Sequence, residues 1–247
     1  MFFFREKPRR PFLSAVVVAA GSASRMSGVD KQQIMIDEVP VVVRSLEQFN
    51  NCPDVDEIVL VCREEALAEY YALVRDYALD KVVSVVKGGE QRQHSVFSGI
   101  AACSEQAEYY AIHDGARPLV TAEVIRDCID AAVEYGAAAA GVRAKDTHKI
   151  CDDGGFIRST PDRDSLYAIQ TPQIFEAELY RRAMEKARAA GRVYSDDCQL
   201  VEQADHPVFV APGSYENIKI TTPEDVAMAQ AILRCREEGA DRWTPFE

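Results

Sequence analysis

Apolar positions along the chain follow two alternating rhythms. Near-continuous apolar runs at residues 14–20 ("SAVVVAA"), 56–62 ("DEIVLVC") and 81–89 ("KVVSVVKGG"), and at the head of 108–118 ("EYYAIHDGARP"), have the length and β-branched content of strands buried on both faces. Between them, apolar residues recur three and four apart. In "VVVRSLEQFN", Val42, Leu46 and Phe49 share one helical face. Residues 64–79, 91–103 and 122–136 repeat that pattern, and the last is closed by Gly136. "AAAAGVRA" (137–144) is expected to be a strand despite its alanines. This alternation predicts βαβ units, and so an α/β fold whose mostly parallel sheet is covered on both faces. Right-handed crossovers then gather the loops that follow the strands at one edge, where they form a cleft.

From Lys145 the rhythm changes. Residues 145–168 have β-like character around a turn at Asp153-Gly154-Gly155, which predicts a hairpin arm projecting from the sheet. A helix is expected near 176–190, then a short helix. "HPVFVAPGSYENIKI" is expected to give two strand pieces. Thr222, Pro223 and Glu224-Asp225 announce a closing helix with Thr222 as N-cap. A length of 247 residues suits one domain, with 1–12 as a flexible leader.

Apolar residues at 47% and charged residues at 28% are the balance of a soluble globular chain, and no apolar run approaches a membrane span. The net charge of −12 argues against nucleic acid as a partner, though a local basic cluster on an acidic chain still suits small anions. Seven scattered cysteines without a C-x-x-C pair point to free thiols in a reducing cytoplasm rather than to a disulfide framework or a zinc site.

The candidate chemistry sits in the loops after the strands. Residues 15–35, "AVVVAAGSASRMSGVDKQQIM", end a strand in Ala19-Ala20-Gly21 and continue to Arg25 and Lys31. Neither G-x-x-x-x-G-K-[ST] nor G-x-G-x-x-G fits, so the standard P-loop and dinucleotide fingerprints are absent. Two readings remain: a Gly turn with two cations for phosphate, or two solvated surface charges. In "HDGARP", Asp114 suits either a hard divalent cation or a turn, Arg117 suits a phosphate or a ribose, and His113 reads as a core histidine. In "GGEQRQHSV", Gly88-Gly89 admits a ring or a phosphate close to the backbone, and Ser95 is either a base contact or a helix-surface serine.

Taken together, "AAGSASRM…KQ", "GGEQRQHSV", "HDGARP", "TPQIF", "SDD" and "NIKITTPED" occur in the order and spacing of one family. Over about residues 14–233 the chain resembles the 2-C-methyl-D-erythritol 4-phosphate cytidylyltransferases of the non-mevalonate isoprenoid pathway. The resemblance implies a Rossmann-like, three-layer nucleotidyltransferase fold and transfer of CMP from CTP to a sugar-alcohol phosphate. It also implies Mg²⁺ and a homodimer built through the arm. Carried over residue by residue, it implies that Arg25 and Lys31 are catalytic. Ala19, Ala20, Gly21, Gly88, Gly89 and Ser95 would bind CTP, and Asp114 would bind the metal. Arg117, Thr147, Arg163, Thr171, Ser195 and Lys219 would position the acceptor, Arg163 from across the dimer. Two positions depart from the family pattern: Ala23 stands where a second Gly is usual, and Asp30 where Pro precedes the Lys. The close relatives that use ribitol 5-phosphate share the CTP half, so the acceptor stays open between the two. A CTP-binding protein without catalysis is the alternative outside the enzymes.

Overall fold

The computed structural model describes residues 10–21 and 31–239. In chain order the elements are β1 (Leu13–Val18), β2 (Met35–Ile36), β3 (Val39–Pro40), α1 (Val41–Asn50), β4 (Glu57–Cys62), α2 (Leu67–Asp76), β5 (Val82–Lys87), α3 (Arg92–Ala101), β6 (Tyr109–Asp114) and α4 (Ala122–Tyr135). They continue with β7 (Ala137–Arg143), β8 (Ile150–Cys151), β9 (Ile157–Ser159), β10 (Tyr167–Glu176), α5 (Ala177–Ala190), α6 (Asp197–Glu202), β11 (Phe209–Pro212) and α7 (Pro223–Glu237).

Seven strands form one sheet in the order β11-β7-β10-β6-β1-β4-β5. Every neighbouring pair is parallel except the two made by β10, which runs antiparallel between β6 and β7. The expected mostly parallel α/β sheet is therefore present. The continuous apolar runs have a simple cause. Along β1, Ala15 and Val17 pack with α1, α2 and α4 on one face, while Val16 and Val18 pack with α3, α5 and α6 on the other. The alanines of β7 belong to the same logic. Ala137, Ala138, Ala139 and Ala140 are all buried, and their small side chains let helices approach both faces closely. A Cβ on Gly141 would meet Val210 Cγ1 at 2.7 Å. Local signals bound α4: Thr121 Oγ1 accepts from Val124 N at 3.3 Å to open it, and Gly136 closes it, as expected, at φ 81°.

The topology decides where a cleft forms. From β1 the chain winds outward to β4 and β5 with α1 and α2 on one face. It then crosses back over the other face through α3 to β6, on the opposite side of β1. The winding reverses between β1 and β6, and at such a point the loops leaving the strand ends splay apart.

Two expectations change. The second strand piece in residues 206–220 is not formed. Residues 217–220 form a strap without a ladder: Asn217 N bonds Ser214 O at 3.0 Å and Ile218 N bonds Glu216 O at 2.7 Å, and Ile220 N ties it to the loop after β6 through Ala116 O at 2.8 Å. The helix expected over 64–79 is a 3₁₀ turn at Glu64–Ala66 followed by α2. The hairpin at 150–159 does form, as its own two-stranded sheet with both strands fully exposed. Asp152 Oδ1 closes its turn, accepting from Gly154 N at 3.0 Å and Phe156 N at 2.9 Å. All seven cysteines are free thiols, four of them buried. No helix among the described residues is long and apolar enough to cross a membrane.

Candidate active site

A cavity of about 350 Å³ opens at the switch point between β1 and β6. Its wall comes from the ends of four segments: Val18, Ala20 and Gly21 after β1, Gly89 to Arg92 at the start of α3, Asp114 and Ala116 after β6, and Lys219 from the crossing strap. Lys31, Gln32 and Ser95 complete it.

Asp114 is the centre of its charge. The residue is 8% exposed, and each carboxylate oxygen meets a cation: Oδ1 accepts from Arg92 Nε at 3.1 Å and Oδ2 from Lys219 Nζ at 2.6 Å. Burial by itself pushes this carboxyl up. The combined fields of Arg92, Lys219 and Arg117 outweigh it and hold the group well below the usual carboxylate range. Arg92 reaches further, donating from Nη1 to Asp197 Oδ2 at 2.6 Å. Asp197 is 2% exposed, and its other oxygen accepts from Tyr180 Oη at 2.6 Å. Burial, with the neighbouring Asp197 carboxylate, pushes the Tyr180 hydroxyl well up, so it stays a proton donor. Arg92 thus bridges two buried carboxylates, from a position that opposes the local helix dipole.

Behind the cavity a second layer fixes the loop. Thr171 Oγ1 accepts from Asp114 N at 3.0 Å and pairs with His113 Nδ1 at 3.0 Å. His113 is fully buried, and burial pushes its proton affinity down to about 3, so the ring is neutral and is absent from the cavity wall. Arg117 Nη1 donates to Asn217 O at 2.6 Å, tying the loop after β6 to the strap that carries Lys219. Asn217 Nδ2 in turn donates to Thr171 O at 3.0 Å.

The residues singled out from the sequence therefore separate into groups. Ala20, Gly21, Lys31, Gly89, Ser95, Asp114 and Lys219 meet around one cavity. Ala19 is buried behind it, its N–H on Val61 O at 2.7 Å. Gly88 packs so closely that a Cβ there would lie 2.5 Å from Ala20 Cβ and 2.7 Å from Ser95 Oγ. Ser95 is 2% exposed, and its hydroxyl accepts from Gly89 N at 3.1 Å and donates toward the Gln91 carbonyl at 3.1 Å. It shapes the Gly-pair turn from within. Arg117 and Thr171 support the cavity from behind rather than lining it. Thr147 and Arg163 are exposed residues of the arm, and Ser195, also exposed, bonds Gln199 Oε1 at 3.1 Å. Arg25 lies outside the described residues, as do Ala23 and Asp30.

Sequence reasoning passed over Arg92 and Asp197. A signal for each was available. A cation at the first position of a helix is disfavoured by the dipole and so hints at a non-local anion. In Asp196-Asp197 one carboxylate suffices for the cap, which Asp196 Oδ1 supplies to Gln199 N at 2.8 Å, leaving the second for another purpose.

With this geometry in place, similarity to known proteins becomes specific. The family described as 2-C-methyl-D-erythritol 4-phosphate cytidylyltransferase matches residues 13–235. The chain belongs to this family. A cytidylyltransferase of that name from Caldanaerobacter subterraneus subsp. tengcongensis is 45% identical over 231 residues, covering 90% of this chain and 99% of the relative. One from Desulforamulus reducens is 44% identical over 225 residues, covering 90% of this chain and 96% of that one. Among solved structures, the 4-diphosphocytidyl-2C-methyl-D-erythritol synthase of Anaerococcus prevotii superposes with a TM-score of 0.82 at 35% identity, covering 91% of this chain and 96% of that chain. The cytidylyltransferase of Thermus thermophilus gives 0.75 at 28% identity, with 90% and 99% covered. These neighbours share the nucleotidyltransferase architecture described above.

Proposed function

We propose that this cytidylyltransferase-family chain transfers CMP from CTP to 2-C-methyl-D-erythritol 4-phosphate, giving 4-diphosphocytidyl-2-C-methyl-D-erythritol and pyrophosphate. The observation that carries the reading is the cavity at the β1/β6 switch point, where Lys31, Arg92 and Lys219 share a wall with a carboxylate locked by the last two, within a chain of this family. An oxygen of the acceptor phosphate attacks the α-phosphorus of CTP, and the bond to pyrophosphate breaks. A phosphate monoester is largely dianionic at neutral pH, its second pKa being about 6, so no general base is needed. That requirement suits a wall whose histidine neighbour, His113, is buried, neutral and turned to Thr171. The difficulty is to hold two polyanions together, and cations fixed around the cavity offset their repulsion.

Mg²⁺ belongs to this reading. Among the described residues no cluster of three or more His, Cys, Asp or Glu could hold a metal alone. Two carboxylate residues, Asp114 and Glu90, line the cavity with hard oxygen donors, which fits Mg²⁺ carried mainly by nucleotide phosphates. When bound, the ion neutralises charge on the triphosphate. Asp114 would hold it, Lys31 and Arg25 would meet the triphosphate, and Lys219 would meet acceptor phosphate. We assign residues 145–168 to a homodimer arm. The reading is supported by Phe156 at 74%, Ile157 at 62% and Ile150 at 55% exposure on that hairpin. Thr147 and Arg163 would then act on the acceptor from the arm, Arg163 in the partner's cavity. A cytoplasmic location follows from the CTP and sugar-phosphate substrates.

The deciding experiment measures pyrophosphate release from CTP with methylerythritol phosphate and, separately, with ribitol 5-phosphate. Turnover of the first is expected. Turnover of ribitol 5-phosphate alone would move the protein to the ribitol branch. CTP binding without release under either acceptor would overturn the enzymatic reading.

A further inference from the structure

Asp114 holds two cations, and they are held in different ways. Arg92 cannot leave Asp114 Oδ1 without disturbing a second buried carboxylate, because its Nη1 is fixed on Asp197 Oδ2 at 2.6 Å. Asp197 is itself anchored, by Tyr180 Oη at 2.6 Å and by its own N–H on Gln173 Oε1 at 3.1 Å. Lys219 pairs with Asp114 Oδ2 at 2.6 Å and bridges to no second carboxylate among the described residues. Its side chain is 37% exposed, against 27% for Arg92 and 11% for Asp114. It also rides on the strap at 217–220, which has no sheet ladder to hold it.

Charge balance separates the two further. Arg92 and Lys219 pair directly with Asp114 and Asp197, and Arg117 adds its field to Asp114 from behind the cavity wall. A buried carboxylate needs such a partner, so Asp114 must keep a cation whether or not ligands are bound. A doubly charged ion on Oδ2 would crowd the Lys219 ammonium on the same oxygen. Of the two resident cations, only Lys219 can move away without stripping another buried anion. The cavity it lines is where phosphate would arrive and require a cation.

We propose that Lys219 is the exchangeable counter-ion of Asp114. Its ammonium holds Oδ2 until a divalent cation takes that oxygen, and it then turns to phosphate, while Arg92 stays on Oδ1 as the permanent partner. Lys219 and the metal are thus mutually exclusive on Asp114. The consequence is that the phosphate-binding ammonium is released only when metal enters. This rests on the metal-dependent cytidylyl transfer proposed above and adds to it a competition between two named groups.

The test uses Mn²⁺ alone, titrated into the full-length, nucleotide-free protein and followed by the spectroscopic signal of the free ion. Lys219→Met removes the competitor and is expected to bind Mn²⁺ about ten-fold more tightly than the wild type, since all molecules then present an open Oδ2. Adding Asp114→Asn to Lys219→Met should abolish the gain. Lys219→Arg, which keeps a cation on Oδ2, should retain the wild-type affinity. Thermal melting checks that each variant is folded, and Lys219→Gln replaces Lys219→Met if the latter is not. Unchanged or weaker Mn²⁺ binding in the folded Lys219 variant overturns the proposal. So does a gain that survives Asp114→Asn, because it would reflect only the overall field. The titration involves neither CTP nor acceptor, so its failure with normal turnover sinks this inference alone, and a gain without turnover sinks only the functional reading.

Discussion

The cluster around Asp114 and the arm at 145–168 answer the same physical demand in opposite ways. In the cluster both buried carboxylates are met inside the chain: Asp114 by Arg92 and Lys219, Asp197 by Arg92 and Tyr180. In the arm, Ile150, Phe156 and Ile157 face water. At its base Arg143 Nη1 donates to Asp164 O at 2.7 Å, and Lys145 Nζ sits 3.7 Å from the centre of the Tyr215 ring, so only the root is tied to the body. The cluster is complete in one copy, since burial does not tolerate an unpaired charge. The arm leaves its apolar side chains uncovered within the one chain. A pre-organised cation pocket and an exposed apolar arm thus coexist in one chain.

The comparison breaks most visibly at Lys31. Lys31→Ala should lower kcat by about 10²–10³-fold with little change in folding, measured by steady-state pyrophosphate release. Near-normal turnover would show that the cavity is not where triphosphate reacts.

Removing the bridge comes next. Arg92→Met leaves Asp197, at 2% exposure, without its cation and should cost about 3 kcal/mol in urea unfolding. Arg163→Ala, on the exposed arm, should stay within about 0.5 kcal/mol. Equal losses at the two sites would erase the distinction.

A pH experiment sharpens it. The folded His113 takes up a proton only near pH 3, whereas its ordinary value is 6.5. The unfolded chain is therefore protonated first as pH falls, and stability declines from pH 6.5 toward 3. Asp114, with its folded value depressed, adds to the loss only below about pH 4, the ordinary Asp range. Denaturant unfolding at pH 7 and pH 5 should show the decline in the wild type and a clearly smaller one in His113→Asn. Identical slopes would mean that the ring is not held neutral in the fold.

The smallest effect on stability is expected at the hairpin tip. Phe156→Asp with Ile157→Asp should leave monomer stability within about 0.5 kcal/mol yet turn dimer into monomer by light scattering. Mixing inactive Lys31→Ala and Arg163→Ala subunits should restore turnover if Arg163 serves the partner's cavity. A fully active monomer would remove the arm from the mechanism.

Much of the fold was legible because its signals are local. Strands buried on both faces must be continuously apolar, and helices on their flanks must be periodic, so β1, β4, α1 and α4 follow from spacing alone. The 3₁₀ entry to α2 and the missing strand at 217–220 were not legible, since each depends on what lies beside it. Within the site, the Gly turns and the HDGARP loop announced themselves. Arg92 did not, because its meaning lies in two carboxylates 22 and 105 residues away. Ser95 and Arg117 show the reverse limit: the residue type was conspicuous, but only packing turned one hydroxyl into the Gly-pair turn and placed the guanidinium behind the cavity wall.

By itself, then, the sequence determined the layered α/β architecture, the loops that meet at the sheet edge, the hairpin and the family. These rest on hydrophobic period, turn chemistry and motif spacing, all carried by neighbouring residues. The tertiary structure alone decided that β10 runs antiparallel into the sheet, and that Arg92 joins Asp114 to Asp197. It also decided that Lys219 lies on Asp114. Pairings of this kind are made across long loops between groups whose partners are chosen by burial, and burial is a property of the folded chain.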